Sequence, residues 1–351
     1  MSLVIDATGT GRDLGRAHGE AARPQIAAAL AAWEGATLSG GDRRSALDYA
    51  SALLGQTSLI KAIALHTPEL HEEIEGIAEG SSQPFELIAA YNLMDEQWWF
   101  DRGSIGADRG CSLVGFVEPG RTLLGQNMDL PTFMDGSQVI LQLRPADCVE
   151  QIILTSAGLI GLTGASAVGI GICVNALLML NSNREGLPVA AAFRHALGQP
   201  NRTMAIAALN SVQHASGQHY AIAGRDGLTS LECSSGGCTN VGFAGPILRH
   251  TNHPLASSDE DPAQLARLEA SGSIKNSLER LAYLETLDAV PDRAAIVQTW
   301  LDAPDTPICV APGGNGPGST FGSIVIEIAE TTTVTIRPSY PGETMWQTFT
   351  L

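Results

Sequence analysis

Residues 151–183 form an apolar stretch that contains no Asp, Glu, Lys or Arg. The stretch is long enough to cross a bilayer as one helix, and a membrane span is one of its two interpretations. Five glycines interrupt it, however, and Leu, Ile and Val cluster in short groups between them. We therefore expect buried β-strands joined by tight turns rather than a membrane helix.

The composition is that of a well-buried globular protein. Apolar residues make up 44% of the 351 residues and charged residues only 16%, which excludes a disordered chain. The formal net charge is −17, and such a surface repels nucleic acid and anionic membranes. We expect neither as a partner. The first residues lack a basic segment followed by a long apolar one, so a cytoplasmic location is expected. The six cysteines need not form a disulfide framework.

The order of predicted elements favours an α+β fold with separate helical and sheet regions. Residues 12–100 are mainly helical by pattern, with helices expected at 22–33, 45–54, 68–80 and 85–99. A hairpin of strands 112–117 and 122–125 follows, and a second hairpin joins 322–329 to 331–337. Between the hairpins, we expect strands at 139–143, 151–154, 219–223 and 229–233, helices at 188–197 and 202–212, and a partly helical segment at 255–295.

Two motifs suggest ligands that we do not expect. A short strand precedes Gly9, Gly11 and Gly15, as in a dinucleotide-binding loop, but the spacing is GxGxxxG and no second strand follows. A turn into the first helix is the expected structure. Cys233 and Cys238, followed by His250-Thr251-Asn252-His253, resemble a zinc finger, but the two histidines are too close together. No metal or cofactor is expected, and residues 312–318 are expected to form a loop without a phosphate-binding motif.

Three residue types in this chain can together cleave an amide. Cys111 follows Gly110, and Asp129 comes 129 − 111 = 18 residues later. A thiol is nucleophilic only as its thiolate, and a chain cut before Cys111 would give that residue an α-amine with an ordinary pKa near 8 to act as base. A hairpin would return the carboxylate of Asp129 to this amine. An asparagine, Asn252, follows far downstream in the sequence.

The chain resembles the acyl-CoA:6-aminopenicillanic-acid (isopenicillin-N) acyltransferase family, within the choloylglycine-hydrolase-like N-terminal-nucleophile (Ntn) enzymes. The segments that carry this resemblance are in family order and cover nearly the whole chain: 11–19, 72–80, 110–112, 125–129, 158–161, 171–177, 186–189, 250–253 and the last hairpin. Membership implies a four-layer αββα Ntn-hydrolase sandwich, with two antiparallel sheets between helical layers. It also implies self-cleavage between Gly110 and Cys111.

The resemblance also assigns roles to individual residues. It makes Cys111 the nucleophile, Asp129 the group that holds the freed amine, and Asn252 the oxyanion donor. Asn175, Gln126 and His253 are further candidates for oxyanion stabilisation or substrate binding.

One family feature is absent. Many relatives have an arginine directly after a cysteine near the C-terminal end, whereas Val310 follows Cys309 here. Arg249 and Arg337 are the candidates to replace it. Bile-salt-hydrolase-like relatives have arginine at the position of Gln126, so a bile-salt substrate is not expected. Three neighbouring aromatic residues are candidates to line an acyl pocket: Trp98, Trp99 and Phe100.

These observations together predict one Ntn-hydrolase domain over residues 1–351, cleaved into an α chain of 1–110 and a β chain of 111–351. The predicted reaction is hydrolysis of a small linear amide, N-acyl or aminoacyl, through a thioester on Cys111. Acyl-CoA-dependent N-acyl transfer is the first alternative, and an unprocessed ligand-binding protein and a nucleotide-dependent oxidoreductase are the others. The expected partners are a small-molecule amide or thioester and the protein's own two fragments, with a homo-oligomer as a further option.

Overall fold

The computed structural model describes residues 3–38, 45–100, 110–243, 245–287, 294–304, 306–312 and 318–351. Asp108 and Arg109, which precede the predicted cleavage site, lie outside the described residues, as does most of the predicted glycine loop at 312–318.

Fourteen strands and twelve α-helices make up the described chain. The strands are β1 (Leu3–Gly9), β2 (Ser112–Glu118), β3 (Arg121–Pro131), β4 (Gln138–Pro145), β5 (Gln151–Ser156), β6 (Thr163–Ser166), β7 (Ile170–Ala176), β8 (Gln218–Gly224), β9 (Gly227–Ser234), β10 (Gly237–Asn240), β11 (Ile247–His250), β12 (Gly318–Ile328), β13 (Thr332–Arg337) and β14 (Gln347–Thr350). The helices are α1 (Gly11–Ala21), α2 (Arg23–Leu38), α3 (Ala46–Gln56), α4 (Leu59–His66), α5 (Pro68–Ser81), α6 (Phe85–Tyr91), α7 (Met94–Phe100), α8 (Val189–Leu197), α9 (Arg202–Asn210), α10 (Pro262–Ser271), α11 (Ser273–Thr286) and α12 (Ala294–Leu301).

The strands form two sheets that face each other. One has eight strands in the order β1-β4-β5-β6-β7-β8-β9-β10, and the other has six in the order β11-β2-β3-β12-β13-β14. Strands β2, β3 and β12 contact β6–β9 across the interface. Helices α1, α8 and α9 pack against the eight-stranded sheet, and α11 and α12 against the six-stranded sheet. The predicted four-layer αββα order is confirmed.

One detail of the predicted fold is wrong, because the eight-stranded sheet is not wholly antiparallel. Strand β1 pairs with β4 in parallel, with Leu3 opposite Val139. The seven helices α1–α7 and the hairpin β2–β3 lie between these two strands in the chain. A connection of this length lets the chain re-enter the sheet in the same direction, whereas a short turn would force antiparallel pairing.

The uncharged stretch at 151–183 forms β5, β6 and β7 in the middle of the eight-stranded sheet. Most of its residues are buried, because the sheet is covered on both faces. Within the described residues, no helix has the length and apolar character needed to span a membrane.

The glycines of the supposed nucleotide loop serve helix packing. Thr10 caps α1 through a reciprocal pair of hydrogen bonds with Asp13, and Gly11 and Gly15 then lie on the face of α1 that contacts α5. A Cβ on Gly15 would lie 2.0 Å from the carbonyl oxygen of Glu73. The two helix backbones therefore touch, and α5 occupies the glycine face of α1.

Other differences are local. The expected helix at 85–99 is two helices, α6 and α7, and strand β14 was not foreseen. The resemblance to a zinc finger comes from a disulfide, because Cys233 and Cys238 are opposite each other on β9 and β10 and are bonded. The histidine beside this pair is His214, whose Nε2 lies 3.4 Å from the sulfur of Cys238.

Candidate active site

Cys111 and Asp129 meet because the predicted hairpin forms. Strands β2 and β3 pair with Ser112 opposite Asn127, so the chain returns from the turn at 119–120 to place Asp129 next to Cys111. Both are buried, and the backbone N–H of Asp129 donates a hydrogen bond to the thiol. On the other side, the hydroxyl of Thr320 on β12 donates to Oδ1 of Asp129 at 2.7 Å, which fixes the carboxylate beside the sulfur.

The thiol of Cys111 is protonated in the uncut chain at neutral pH. Burial and then the negative charge of Asp129 raise its pKa to about 12, and the N–H of Asp129 and the guanidinium of Arg280 only partly oppose these effects. The thiolate, which is the nucleophilic form, therefore needs a base that the uncut residue does not carry.

Asn252 lies directly against the bond that precedes Cys111. It follows β11, and a Cβ built on Gly110 would fall 2.2 Å from its Oδ1 and 2.9 Å from its Nδ2. No side chain larger than hydrogen therefore fits at position 110. The Nδ2 of Asn252 donates one hydrogen bond, to the carbonyl of Ala176 at 2.9 Å, and its second N–H leaves it able to donate to an oxyanion beside Gly110.

Arg280 is the site residue that the sequence did not reveal. It lies on α11, is 1% exposed, and donates to the carbonyl oxygen of Cys111 at 2.6 Å and to Oδ1 of Asn252 at 3.1 Å. Asn276, one turn earlier on the helix, accepts from its Nε at 2.9 Å. One guanidinium thus connects the candidate nucleophile to the candidate oxyanion donor. The sequence around Arg280 has no motif that indicates this role, because α11 has the pattern of an ordinary polar helix.

The two expected replacements for the family arginine lie elsewhere. Arg249 donates to the carbonyls of Leu284 and Leu287 at the end of α11. Arg337 pairs with Asp302 and hydrogen-bonds to Ser323. Neither lines the cavity at Cys111, whereas Arg280 does.

The three further candidate residues stand behind the site rather than in it. Asn175 on β7 is fully buried and donates to the carbonyls of His250 and Thr251, and its Oδ1 accepts from Gln126 at 2.8 Å. His253 bonds to the hydroxyl of Ser277 at 2.8 Å. None of the three lines the cavity. They fix the segment that carries Asn252.

A buried acidic residue anchors the same segment from its far side. Glu232 on β9 accepts from His250 at 2.9 Å and from the backbone N–H groups of residues 255, 256 and 257. Burial alone would raise the pKa of Glu232, but these hydrogen bonds outweigh it and lower the pKa. Asn252 therefore lies in a loop fixed at both ends.

Cys111 opens into a cavity of about 150 Å³ with mainly apolar walls. Trp98 lines it, as expected for an acyl pocket, whereas Trp99 and Phe100 do not. The apolar walls are formed by Met94, Trp98, Met128, Leu130, Pro131, Phe133, Leu162, Val174, Ala176, Leu178, Met179, Val189, Phe193, Leu268 and Ile274. Apart from the groups around Cys111, the polar residues of the lining are Asp95, Gln97, Gln218 and Ser273. The cavity suits a small, largely apolar group with one polar end.

Comparisons with known proteins give a family match, a curated relative and a solved structure. The model of the family "Acyl-coenzyme A:6-aminopenicillanic acid acyl-transferase" matches residues 117–339. A curated relative, the acyl-coenzyme A:6-aminopenicillanic-acid-acyltransferase 40 kDa form of Emericella nidulans, is 27% identical over 99% of this chain and 96% of its own length. Among solved structures, penicillin V acylase from Agrobacterium tumefaciens is 16% identical, with a TM-score of 0.41 over 69% of this chain and 85% of that one.

Proposed function

The chain belongs to the acyl-coenzyme A:6-aminopenicillanic acid acyl-transferase family, and from this membership we propose that it is a self-processing cysteine amidohydrolase of the Ntn type. Its substrate would be a small linear amide, N-acyl or aminoacyl. The observation that carries the proposal is the position of Gly110-Cys111: the peptide bond between them lies beside Asn252, and the thiol that would attack it lies beside Asp129.

Processing would begin with attack of the Cys111 sulfur on the carbonyl carbon of Gly110. The S–C bond forms, the C–N bond breaks, and the nitrogen takes the thiol proton. Asn252 would donate to the oxyanion of the intermediate, and such a donor contributes about 3–4 kcal/mol in comparable sites. Water then hydrolyses the thioester, which leaves a carboxylate on Gly110 and a free thiol and α-amine on Cys111. The described chain would become fragments 1–110 and 111–351 of one domain.

Turnover would use the freed amine. This amine has an ordinary pKa near 8, so at neutral pH it can exchange a proton with the thiol. The carboxylate of Asp129 would hold the ammonium form next to the sulfur. Attack on the substrate amide gives a thioester on Cys111 and an amine product that takes the proton. Water then releases the acid and restores the thiol.

The test is the intact mass of the denatured protein, measured for the wild type, Cys111→Ala and Cys148→Ala. Two fragments that separate at Gly110 and Cys111 are expected in the wild type and in Cys148→Ala, because Cys148 is an exposed free cysteine that does not line the cavity at Cys111. Cys111→Ala should remain one chain. A single uncut chain in all three proteins would contradict self-processing.

Acyl transfer is the second candidate, and the names of the family and of the Emericella nidulans relative favour it. Hydrolysis and transfer share the thioester on Cys111 and differ only in whether water or an amine accepts the acyl group. Adding an ordinary primary amine to the reaction would separate them, because a transferase forms a new amide at an amine concentration that saturates, whereas a hydrolase still releases free acid.

An unprocessed ligand-binding protein is the alternative from another class. Two observations favour it: the protonated state of Cys111 in the uncut chain and Val310 at the position of the family arginine. In that case Cys111→Ala would bind the same small molecules as the wild type with unchanged affinity.

A further inference from the structure

The cavity at Cys111 contains a second polar group that neither the proposed cleavage nor the proposed turnover uses. It consists of Asp95 on α7 and Gln218 on β8. The Nε2 of Gln218 donates to Oδ2 of Asp95 at 2.8 Å, and the same nitrogen lies 3.2 Å from the hydroxyl of Ser216. We call Asp95 and Gln218 the acceptor pair.

The acceptor pair lacks a cation. Among the described residues, no cationic side chain forms an ion pair with Asp95. Burial raises the pKa of its carboxyl group, and the hydrogen bond from Gln218 partly opposes this rise. The nearest guanidinium that lines the cavity, that of Arg280, is engaged by Cys111 and Asn252. A carboxylate in such a cavity is stabilised by a positively charged ligand.

Gln218 supplies an independent observation. It is 1% exposed, it lines the cavity, and its Oε1 has no hydrogen-bond partner among the described residues. Its Nε2 is already committed to Asp95, so this oxygen has the capacity to accept from a donor bound beside Asp95. A buried acceptor without a donor is costly, and a bound N–H removes the cost.

A second acidic residue lies next to Asp95 and is bound by protein donors. Glu96, next to Asp95, is buried and is held by the hydroxyl of Ser216 at 2.8 Å and the backbone N–H of Val189 at 3.1 Å. The acceptor pair therefore offers at least two oxygens at one end of an apolar cavity. An alkylammonium group fits this end, because it donates three hydrogen bonds and carries the compensating charge.

We propose that the acceptor pair is an ammonium subsite, so that the enzyme selects small amides that carry a protonated amine near the scissile bond. The ammonium subsite presupposes the proposed amide cleavage at Cys111. The selectivity itself depends on Asp95 and Gln218, which take no part in that cleavage. The amine could belong to the acyl group or to the leaving group. Both present the same alkylammonium to Asp95, and a matched set of substrates distinguishes them.

The experiment compares three amides of nearly identical shape: N-propylbutanamide, which is neutral, N-propyl-3-aminopropanamide, with an ammonium in the acyl group, and N-(2-aminoethyl)butanamide, with one in the leaving group. One of the charged amides should have a kcat/KM about 10- to 100-fold above that of the neutral amide, as expected for a charge-assisted hydrogen bond. In Asp95→Asn, this ratio should fall to about one. Asp6→Asn, an exposed acidic control on β1, should retain it.

A binding measurement keeps the subsite testable without turnover. Calorimetry on the wild-type protein should show that n-butylammonium binds more tightly than 1-butanol, and Asp95→Asn should weaken the binding of the ammonium about tenfold. Equal turnover of all three amides would overturn the subsite and leave the amidase intact. No turnover together with selective ammonium binding would overturn the amidase and support the subsite. Equal binding of the two probes would overturn the subsite.

Discussion

At the scale of single residues, the site depends on how tightly Gly110 and Asn252 are packed. The residue before Cys111 has no room for a methyl group, because the amide of Asn252 occupies the position that a Cβ would take. The proposed cleavage site is thus defined by a glycine as much as by a cysteine.

Gly110→Ala is expected to displace Asn252 and to slow or abolish the proposed self-cleavage. The purified variant should show mainly the uncut mass under conditions in which the wild type is fully cut. Gly242→Ala is the control, since a Cβ there has no neighbour within 4 Å and cleavage should proceed normally. Complete cleavage of Gly110→Ala would mean that Asn252 is not required beside the scissile bond.

Arg280→Met is expected to lower kcat/KM about 100-fold on the uncharged amide, mainly through kcat. The guanidinium holds the carbonyl of Cys111 and the side chain of Asn252 together, and a methionine of similar length cannot donate to either. The matched control is Arg267→Met on α10. Urea denaturation should accompany the kinetics, because a loss of activity that follows a loss of folding would indicate a purely structural role for Arg280.

The limits of sequence reasoning are clearest at this scale. Cys111, Asp129 and Asn252 were predicted, and the structure brings all three together. Their roles remain predictions. Arg280 and the acceptor pair were missed, because each reaches the cavity from an element without a distinctive pattern. Their positions depend on how α7, α11 and β8 pack, which a local sequence does not specify.

At the scale of elements, the seam between α1 and α5 is the closest helix contact in the amino-terminal region. Glycines on both helices let the backbones touch, and Arg12 and Arg16 of α1 pair with Glu75 and Glu79 of α5 along the exposed edge. The glycines look like a nucleotide loop in sequence because the helical spacing of four residues overlaps the spacing of such loops. Only the presence of α5 against these glycines distinguishes a close helix contact from a nucleotide-binding loop.

Gly15→Ala is expected to destabilise the protein by about 3 kcal/mol, since its Cβ would lie 2.0 Å from the carbonyl oxygen of Glu73 and backbone cannot move away easily. Gly35→Ala, in the last turn of α2 with no neighbour within 4 Å, should instead stabilise it by up to about 0.5–1 kcal/mol. Urea denaturation measures both. Equal effects of the two substitutions would show that the seam is not close-packed.

Elements with a strong periodic or alternating pattern were predicted well, and those that depend on distant partners were not. The charge-free stretch forms strands, as its glycine spacing indicated, and both predicted hairpins form. The parallel pairing of β1 was missed because its partner, β4, is more than a hundred residues away. No local signal reports such a partner.

At the scale of the whole molecule, acid should destabilise the fold, partly through His18. This residue is buried, and its Nε2 accepts the backbone N–H of Gly158 at 3.0 Å. Burial lowers its pKa from 6.5 to about 3, with the charge of Arg194 as a further cause. The unfolded chain binds the proton at a higher pH, so the stabilisation is complete above about pH 6.5 and is lost as the pH falls towards 3.

His18→Gln should therefore reduce the loss of unfolding free energy between pH 8 and pH 5 by about 2 kcal/mol relative to the wild type. His71→Gln, on α5 with its histidine beside Glu75, is the matched histidine substitution for comparison. Urea denaturation at the two pH values supplies the comparison. An unchanged pH dependence in His18→Gln would show that His18 already accepts a proton in the folded protein.

The parallel pair β1–β4 joins a strand that precedes the proposed cut to one that follows it. The buried ion pair between Glu73 on α5 and Arg194 on α8 does the same, with two hydrogen bonds of 2.9 Å. Cleavage after Gly110 would change the molecularity of unfolding without changing these contacts. An uncut chain unfolds in a unimolecular step, and its midpoint does not depend on protein concentration. A cut chain separates into two polypeptides, so its midpoint rises with concentration, and refolding after full denaturation becomes a bimolecular association.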